Sequence, residues 1–482
     1  MNAGRDTQGS TMPNRSLRSA PRRGLGARRG GGTRALAQGL AKGLVVACVS
    51  MAMLAPDLAR AFSLIRDAEI ERTVSMLTRP ILRAASVPNS SVQVYLINDS
   101  GLNAFVAGGR NMFLHTGLLS TLDKPEELQG VIAHEIGHIT GGHLARRQIA
   151  LDEARGPALL GMLLGVAAAA AGAGGAGLAA GLGLSSATTR SFLRFNRAEE
   201  AAADQAALVY MERAGINPVG LQNVLARFRG QEVLTFGSLD PYTQTHPLTT
   251  DRMQLIDDAA RRAAEREWPR DPEVDYWHAR MRAKIQGFLS NPRRVLNTTG
   301  RLPGDGLPQA DEIALYREAI ALHRLPDPDA ALRAVDRLVA TRPRDAFYHE
   351  LRGQILFETG RAEDAVPSYR RAVELAPDAP LLKTGLGRVL LALETPAADA
   401  EALSVLEAAR REDTADAAGM RDLAVAYDRA GRRDLATLVT AERLALIGRR
   451  SEAIRFAGQA SRLLQEGSPG WLRAQDILAM NP

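Results

Sequence analysis

Residues 125–139 read PEELQGVIAHEIGHI, and the rest of the fold can be worked out from this stretch outward. A proline followed by two glutamates is typical of the first turn of a helix, where the exposed amide ends favour negative charge. Apolar residues then recur at helical spacing, at Leu128, Val131, Ile132 and Ile139. This spacing predicts one helix whose apolar face packs against a core.

The predicted helix carries His134, Glu135 and His138 in the pattern H-E-x-x-H. Two histidines four residues apart lie on one face of a helix, so both imidazoles can bind one ion. Glu135 lies one residue round the helix, where a general base can take a proton from water and pass it to a leaving amine. The pattern therefore indicates one Zn²⁺ per chain and peptide-bond hydrolysis.

A later helix, predicted over residues 192–214, supplies the remaining ligand. A catalytic zinc needs three protein ligands and an open fourth position, and Glu200 would complete the set. Asp204 lies one turn further on the same face, within reach of the ring N–H of a ligand histidine. The adjacent Glu199 points about 100° away from Glu200, and we expect it on the surface.

His246 lies in the sequence THPLTTDR at residues 245–252, just before another predicted helix. A histidine in the cleft of a zinc protease can donate to the developing oxyanion, or it can occupy the open metal position and switch the enzyme off. A turn histidine without a catalytic role is the third interpretation. His143 lies about 140° round the helix from His138, so we expect a structural role for it. The same holds for the remaining histidines, His115, His278, His323 and His349.

The segment before the metal helix predicts a helix over residues 62–90 and three short strands, at 92–97, 103–106 and 111–114. The strand around residues 103–106 could pair with an extended substrate backbone. Such pairing recognises the substrate through hydrogen bonds to its backbone rather than through its side chains. It therefore suits unfolded proteins, whose backbone is accessible.

Residues 156–189 carry no charged side chain and are dominated by alanine and glycine. The histidine ligands precede this segment and Glu200 follows it, so a single membrane span would place them on opposite sides of a bilayer. Two spans need about 40 apolar residues and a turn, more than the segment provides. We therefore expect a mobile lid or a peripheral membrane contact, with a buried helical hairpin as the alternative.

A 34-residue period appears after the Gly/Pro-rich linker at residues 302–308. Pro343 recurs at Pro377 and Gly353 at Gly387, which is the helix-turn-helix pattern of tetratricopeptide repeats. About four repeats over residues 312–478 would form a solenoid, although irregular spacing near the end also allows a plain helical cap. The predicted domains are listed as residues 62–265 for the metal-binding domain, 266–310 for a helical connector and linker, and 311–482 for the repeats.

Residues 1–61 have the composition of a secretory signal with a long basic start. An uncharged apolar run at residues 44–55 is followed by the small-x-small sequence at residues 59–61, which predicts cleavage after Ala61. The only cysteine, Cys48, lies in this run, so a lipidated N-terminus at Cys48 is the minor alternative. After cleavage no cysteine would remain for disulfides or thiolate metal sites.

The positive net charge of the chain comes from its first 61 residues and not from the rest of the chain, where a nucleic-acid-binding surface would need it. The 482 residues contain 60 Lys and Arg against 54 Asp and Glu, but residues 1–61 alone hold ten basic and two acidic residues. The remainder is slightly acidic, so we predict no nucleic-acid partner. Hydrophobic residues make up 45% of the chain, the ordinary proportion for a globular protein.

Taken together, these motifs resemble the HtpX and CAAX-prenyl-protease family of zinc metallopeptidases over roughly residues 65–265. The residues that carry the resemblance are HEIGH at 134–138, EAAAD at 200–204, HP at 246–247, Arg252, NAF at 103–105 and TGLL at 116–119. The signal segment and repeats make the chain similar to the BepA type, periplasmic proteases that enhance β-barrel assembly.

The resemblance implies His134, His138 and Glu200 as zinc ligands and Glu135 as general base. The position of Asp204 is sometimes assigned in that family as a proton donor, whereas its spacing favours a hydrogen bond to a ligand histidine. The expected fold is mainly α with a small β-sheet, a zincin-like α+β domain followed by an all-α tetratricopeptide solenoid.

The resemblance also implies an exported endopeptidase in the periplasm that cleaves unfolded or misassembled envelope proteins, in outer-membrane protein quality control. The repeats would bind a protein partner, with outer-membrane assembly machinery as the candidate. The alternative is a chaperone or assembly factor that acts through its repeats and has latent protease activity.

Overall fold

The computed structural model describes residues 64–146, 197–229, 246–298, 302–325 and 327–480. The predicted signal segment and the uncharged segment 156–189 therefore lie outside the described residues. Across the ranges that the model does describe, no helix has both the length and the apolar character needed to cross a membrane.

A four-stranded sheet precedes the metal helix. Its strands are β1 (Leu64–Ile65), β2 (Gln93–Ile97), β3 (Ala104–Ala107) and β4 (Asn111–His115). The order is β1-β2-β4-β3, with β2 and β4 parallel and the other two pairs antiparallel. All three predicted strands are present within one residue of their expected ends, and β3 forms one edge of the sheet.

The helix predicted over residues 62–90 is shorter than expected: α1 spans Ala68–Ala84. The expectation was wrong at its start, because Leu64 and Ile65 pair with Ile97 and Leu96 as strand β1. Asp67 then begins the helix by accepting a hydrogen bond of 2.9 Å from the backbone N–H of Ile70.

The described part of the region up to residue 264 also contains the helices α2 (Thr116–Thr121), α3 (Pro125–Thr140), α4 (residues 197–213), α5 (Val219–Ala226) and α6 (Thr250–Ala264), and residues 143–146 are helical as well. Helix α3, the metal helix, carries His134, Glu135 and His138 of the H-E-x-x-H motif. Its residues Leu128, Val131, Ile132 and Ile136 are fully buried, so the helix is central to the core rather than one-sided.

Helices α3 and α4 approach each other most closely at Gly137. A Cβ atom on Gly137 would lie 2.8 Å from the carbonyl oxygen of Ala203, closer than real side chains come. The absent side chain therefore lets the backbones touch at the point where His134 and His138 face Glu200 and Asp204.

Two helices, α7 (Pro272–Leu289) and α8 (Pro292–Asn297), lead to the repeats. Ten further helices follow: α9 (Ala310–His323), α10 (Pro328–Thr341), α11 (Ala346–Glu358), α12 (Ala362–Leu375), α13 (Pro380–Leu391), α14 (Pro396–Glu412), α15 (Ala417–Arg429), α16 (Arg433–Leu446), α17 (Arg450–Leu463) and α18 (Pro469–Leu478). Successive helices pack as antiparallel pairs, the last of which ends in a short helix. The predicted fold class, mainly helical with a small sheet and a following solenoid, is confirmed.

Buried charges join the first repeats to the helices before them. The Arg280 guanidinium of α7 is fully buried, with Nε 2.7 Å from Glu69 Oε1 of α1. The hydroxyl of Tyr316 in α9 donates to Glu69 Oε2 at 2.6 Å, and Lys284 Nζ lies 2.8 Å from Asp67 Oδ2. Because buried charges are costly without partners, these contacts hold α1, α7 and the solenoid in one arrangement.

Candidate metal centre

The two histidines of the metal helix point to one place, with His134 Nε2 and His138 Nε2 3.1 Å apart. Both rings are buried. The first turn of α3 is held by Glu127, whose carboxylate accepts the backbone N–H groups of Asp123 and Lys124. This cap satisfies amide groups at the helix start and fixes where the helix begins.

Glu200 of α4 brings a carboxylate to the same place. Its Oε2 lies 3.3 Å from His134 Nε2 and its Oε1 lies 3.4 Å from His138 Nε2. A tetrahedral ion about 2.0–2.1 Å from each donor separates the donors by about 3.3 Å. The two nitrogens and the carboxylate therefore have the identities and spacing that one metal ion requires.

Asp204 lies behind the first ligand histidine rather than beside it at the centre. Its Oδ1 is 2.9 Å from His134 Nδ1, the ring nitrogen that faces away from the other ligands. Arg252 holds the same carboxylate with Nε and Nη2, at 2.6 and 3.0 Å. The position predicted from helical spacing, within reach of a ligand ring N–H, is therefore the one that the structure has.

His143 contacts the second candidate ligand, His138, on the ring nitrogen that faces away from the centre. Its Nδ1 lies 2.8 Å from His138 Nδ1, and the ring is buried. The expectation of 140° separation assumed a continuous helix, but α3 ends at Thr140 and Gly142 has a φ of 64°. The chain therefore turns back at its glycines and returns His143 to the metal site.

His246 enters the group of possible ligands itself. His246 Nδ1 lies 3.0 Å from Glu200 Oε2 and 3.3 Å from His134 Nε2. One donor atom from each of His134, His138, Glu200 and His246 lies within 4.8 Å of every other. In this conformation His246 is thus placed where a fourth protein ligand would be.

Glu135 is fully buried next to this group, with Oε1 3.4 Å from His246 Nε2. Its carboxylate lies at the centre without joining the candidate ligands. Glu199 differs from expectation: it is buried rather than on the surface, with 3% of the residue exposed. Because both Glu199 and Glu200 are buried, the face of α4 that is turned away from the metal site is covered as well. Arg146 Nε lies 3.9 Å from Glu199 Oε1.

Burial and neighbouring charges set the protonation of the three candidate ligands. Burial raises the pKa of Glu200, but the positive charge and hydrogen bonds of His246, His134 and His138 outweigh it and hold that pKa well below its usual range. Burial lowers the pKa of His138 to about 3, with the charges of His134 and His246 acting in the same direction. For His134 the effect of burial is outweighed by Asp204 and Glu200, which raise its pKa to about 9. Glu200 is thus ionised and His138 neutral at pH 7, as ligands must be, whereas His134 holds a proton that a metal ion would have to displace.

Two protein-family models match parts of the chain. Residues 65–260 match the model of peptidase family M48, and residues 314–380 match a tetratricopeptide repeat model. Residues 65–260 are therefore similar to the M48 peptidases. With its buried cluster of residues that could hold a metal ion, the protein is a metallopeptidase, and the predicted resemblance is confirmed.

Two of the similar curated proteins align with most of the chain, and a third aligns with part of it. The beta-barrel assembly-enhancing protease of Yersinia pestis is 28% identical over 412 residues, which cover 84% of this chain and 82% of the relative. The Escherichia coli protein of the same name is 28% identical over 411 residues, covering 84% and 81%. Mitochondrial metalloendopeptidase OMA1 of Schizosaccharomyces pombe is 25% identical over 185 residues, 38% of this chain and 51% of that protein. Among solved structures, MamA aligns with 33% of this chain and 94% of its own at 20% identity, with a TM-score of 0.27.

Proposed function

We propose that this metallopeptidase is a zinc endopeptidase exported to the periplasm, where it cleaves unfolded or misassembled envelope proteins. The observation that carries the proposal is the spacing of His134, His138 and Glu200, a donor set and geometry typical of catalytic zinc. Zn²⁺ in such a site polarises a scissile carbonyl and lowers the pKa of water towards 7.

Glu135 is the proposed general base. Its buried carboxylate lies within the cluster, where it can take a proton from the attacking water and deliver it to the leaving amine. We assign Asp204 to positioning the His134 ring. Burial raises the pKa of the Asp204 carboxyl, but the charge of Arg252 outweighs it and lowers that pKa. An ionised carboxylate suits the role of hydrogen-bond acceptor better than that of proton donor.

Strand β3 is the proposed binding edge for the substrate backbone. It is the outer strand of the sheet, and the carbonyl oxygen of Ala104 lies 3.4 Å from His246 Nε2. A chain that pairs with β3 would therefore run past the metal centre. Pairing through backbone groups needs an extended substrate, which supports unfolded proteins as the substrate class.

The position of His246 supports a latch that keeps the peptidase inactive until it moves. A catalytic site needs an open coordination position, and a fourth protein ligand would close it. We expect His246→Ala to raise the cleavage rate of an unfolded protein such as casein. A fall of about 10²-fold would instead indicate a donor to the oxyanion, and an unchanged rate would contradict both roles.

The same latch favours the second candidate function, a chaperone or assembly factor whose repeats do most of the work. The names of the two long relatives support an envelope role in β-barrel assembly, and residues 1–61 would then be the cleaved signal segment, with lipidation at Cys48 as the alternative. The repeats would bind a protein of the outer-membrane assembly machinery.

One variant separates the two functions. Glu135→Gln should bind one Zn²⁺ per chain, measured by mass spectrometry of the metal, but cleave casein at least 10²-fold more slowly. Complementation of a deletion strain by this variant would indicate that the repeats suffice. Cleavage at the normal rate would show that Glu135 is not the base.

A further inference from the structure

A trough lies along α1, and none of the candidate metal ligands lines it. Its volume is about 810 Å³, and its walls are α1, the start of α7 and the turns that join α10 to α11 and α12 to α13. We call it the arginine trough after four of its lining residues, Arg72, Arg79, Arg83 and Arg344.

The first three arginines form a stripe along one face of α1, because they lie seven and four residues apart. All four are exposed. Within the part of the chain that the structure describes, no acidic group lies within ion-pair distance of Arg79, Arg83 or Arg344. Arg72 is only weakly engaged, with Nη2 3.7 Å from Glu273 Oε1.

The carboxylates that line the trough are mostly occupied elsewhere. Arg66 Nε binds Glu71 at 2.7 Å, Arg280 binds Asp345, and Asp271 caps α7 by accepting the N–H of Glu273. Asp378 is the remaining acid on the wall. Among the lining residues, Arg79, Arg83 and Arg344 are thus without an acidic partner in the described part of the chain and Asp271 and Asp378 without a basic one, which leaves a small positive surplus in the trough.

Apolar groups lie between the arginines. Met76 and Pro80 of α1, Leu375 and Trp277 are among the residues that line the trough. The Arg72 guanidinium lies 4.2 Å from the centre of the Trp277 ring, a cation–π contact that holds the ring in place. An apolar side chain would find a partly buried aromatic surface here.

The shape fits a short extended chain. Arg72 and Arg83 are about 16 Å apart along the helix at 1.5 Å per residue. An extended chain of about five residues spans that distance at about 3.3 Å per residue. Walls from different elements flank such a segment, so that its carboxylates could reach arginines of α1 and Arg344 on the facing turn.

We propose that the arginine trough binds an extended acidic segment of another polypeptide, with carboxylates on Arg79, Arg83 and Arg344 and one apolar side chain on Trp277. The inference needs neither the metal nor peptidase activity. Binding measurements can therefore fail or succeed independently of the proposed hydrolysis.

The experiment measures binding of a fluorescein-labelled peptide, Gly-Asp-Glu-Leu-Asp-Glu-Gly, to the full chain by anisotropy, with Lys replacing each acid in the control peptide. The double variant Arg79→Glu, Arg83→Glu should weaken binding about tenfold or more in 50 mM salt, because two attractions become repulsions. The matched control is Arg333→Glu, Arg337→Glu, an equal charge change on exposed arginines of α10, which should leave affinity unchanged. Quenching or a shift of Trp277 fluorescence, absent in Trp277→Phe, should accompany binding.

Three results would overturn the proposal: no binding of the acidic peptide, equal binding of the basic peptide, or equal loss of affinity in both double variants. Co-sedimentation of the protein with phosphatidylglycerol vesicles tests the alternative that the trough binds lipid headgroups. If Arg79→Glu, Arg83→Glu abolished vesicle binding but left peptide binding intact, the trough would be a lipid site and not a peptide site.

Discussion

Replacing Gly137 by alanine tests how closely the metal centre depends on the contact between α3 and α4. The new Cβ would lie 2.8 Å from the carbonyl oxygen and 3.0 Å from the Cα of Ala203, both backbone atoms that cannot rotate away. Ordinary contact begins near 3.4 Å, so the helices must separate by several tenths of an ångström.

The energetic consequence follows from two opposing effects. Overpacking a tight contact costs about 1–3 kcal/mol, whereas alanine favours a helix over glycine by about 1 kcal/mol. We expect a net loss of about 0–2 kcal/mol in the free energy of unfolding. The effect on metal binding should be larger, because sites of this kind must be held within about 0.5 Å, and Zn²⁺ affinity should fall at least tenfold.

Gly458→Ala is the matched control. Gly458 lies inside α17 of the solenoid, and its added Cβ would meet only Leu478 at an ordinary 3.8 Å. This variant should stabilise the chain by about 0.5–1 kcal/mol and leave Zn²⁺ affinity unchanged. Urea unfolding and competition with a zinc-chelating dye measure the two quantities. If Gly137→Ala were as stabilising as the control and kept its affinity, the close helix contact would not position the ligands.

Three further predictions concern the ligands and the joint with the repeats. Glu200→Ala should lose Zn²⁺ while Glu199→Gln retains it; glutamine is used because Glu199 is buried, and equal metal content in the two would contradict the ligand set. His143→Leu should lower Zn²⁺ affinity about 10–100-fold, and His143→Asn, which keeps an acceptor, should restore part of it in the same dye assay. Burial raises the pKa of Asp345, but Arg280 outweighs it and lowers that pKa. The ionised Asp345 therefore stabilises the fold at pH values above its unfolded pKa near 3.9, and this stability is lost as the pH falls through the lower folded pKa. In Asp345→Asn, the urea midpoint of unfolding should depend less on pH in that acidic range.

The sequence by itself determined the parts of this protein that depend on local spacing. His134 and His138 share a face because they are four residues apart on one helix, and the same rule placed Asp204 one turn from Glu200. The repeats and the three strands could also be predicted from the sequence. The repeats follow from the 34-residue recurrence of proline and glycine, and the strands from short apolar runs bounded by turn residues.

The tertiary structure decided what lies between elements distant in sequence. Extrapolation along α3 misplaced His143 because the helix ends at Thr140, and Glu199 was expected in solvent because one helix cannot reveal what packs on its other face. The approach of His246 to Glu200 and the burial of Arg280 against Glu69 are contacts across tens to hundreds of residues. Periodicity states which face of an element is buried, but packing of whole elements decides which partner covers it.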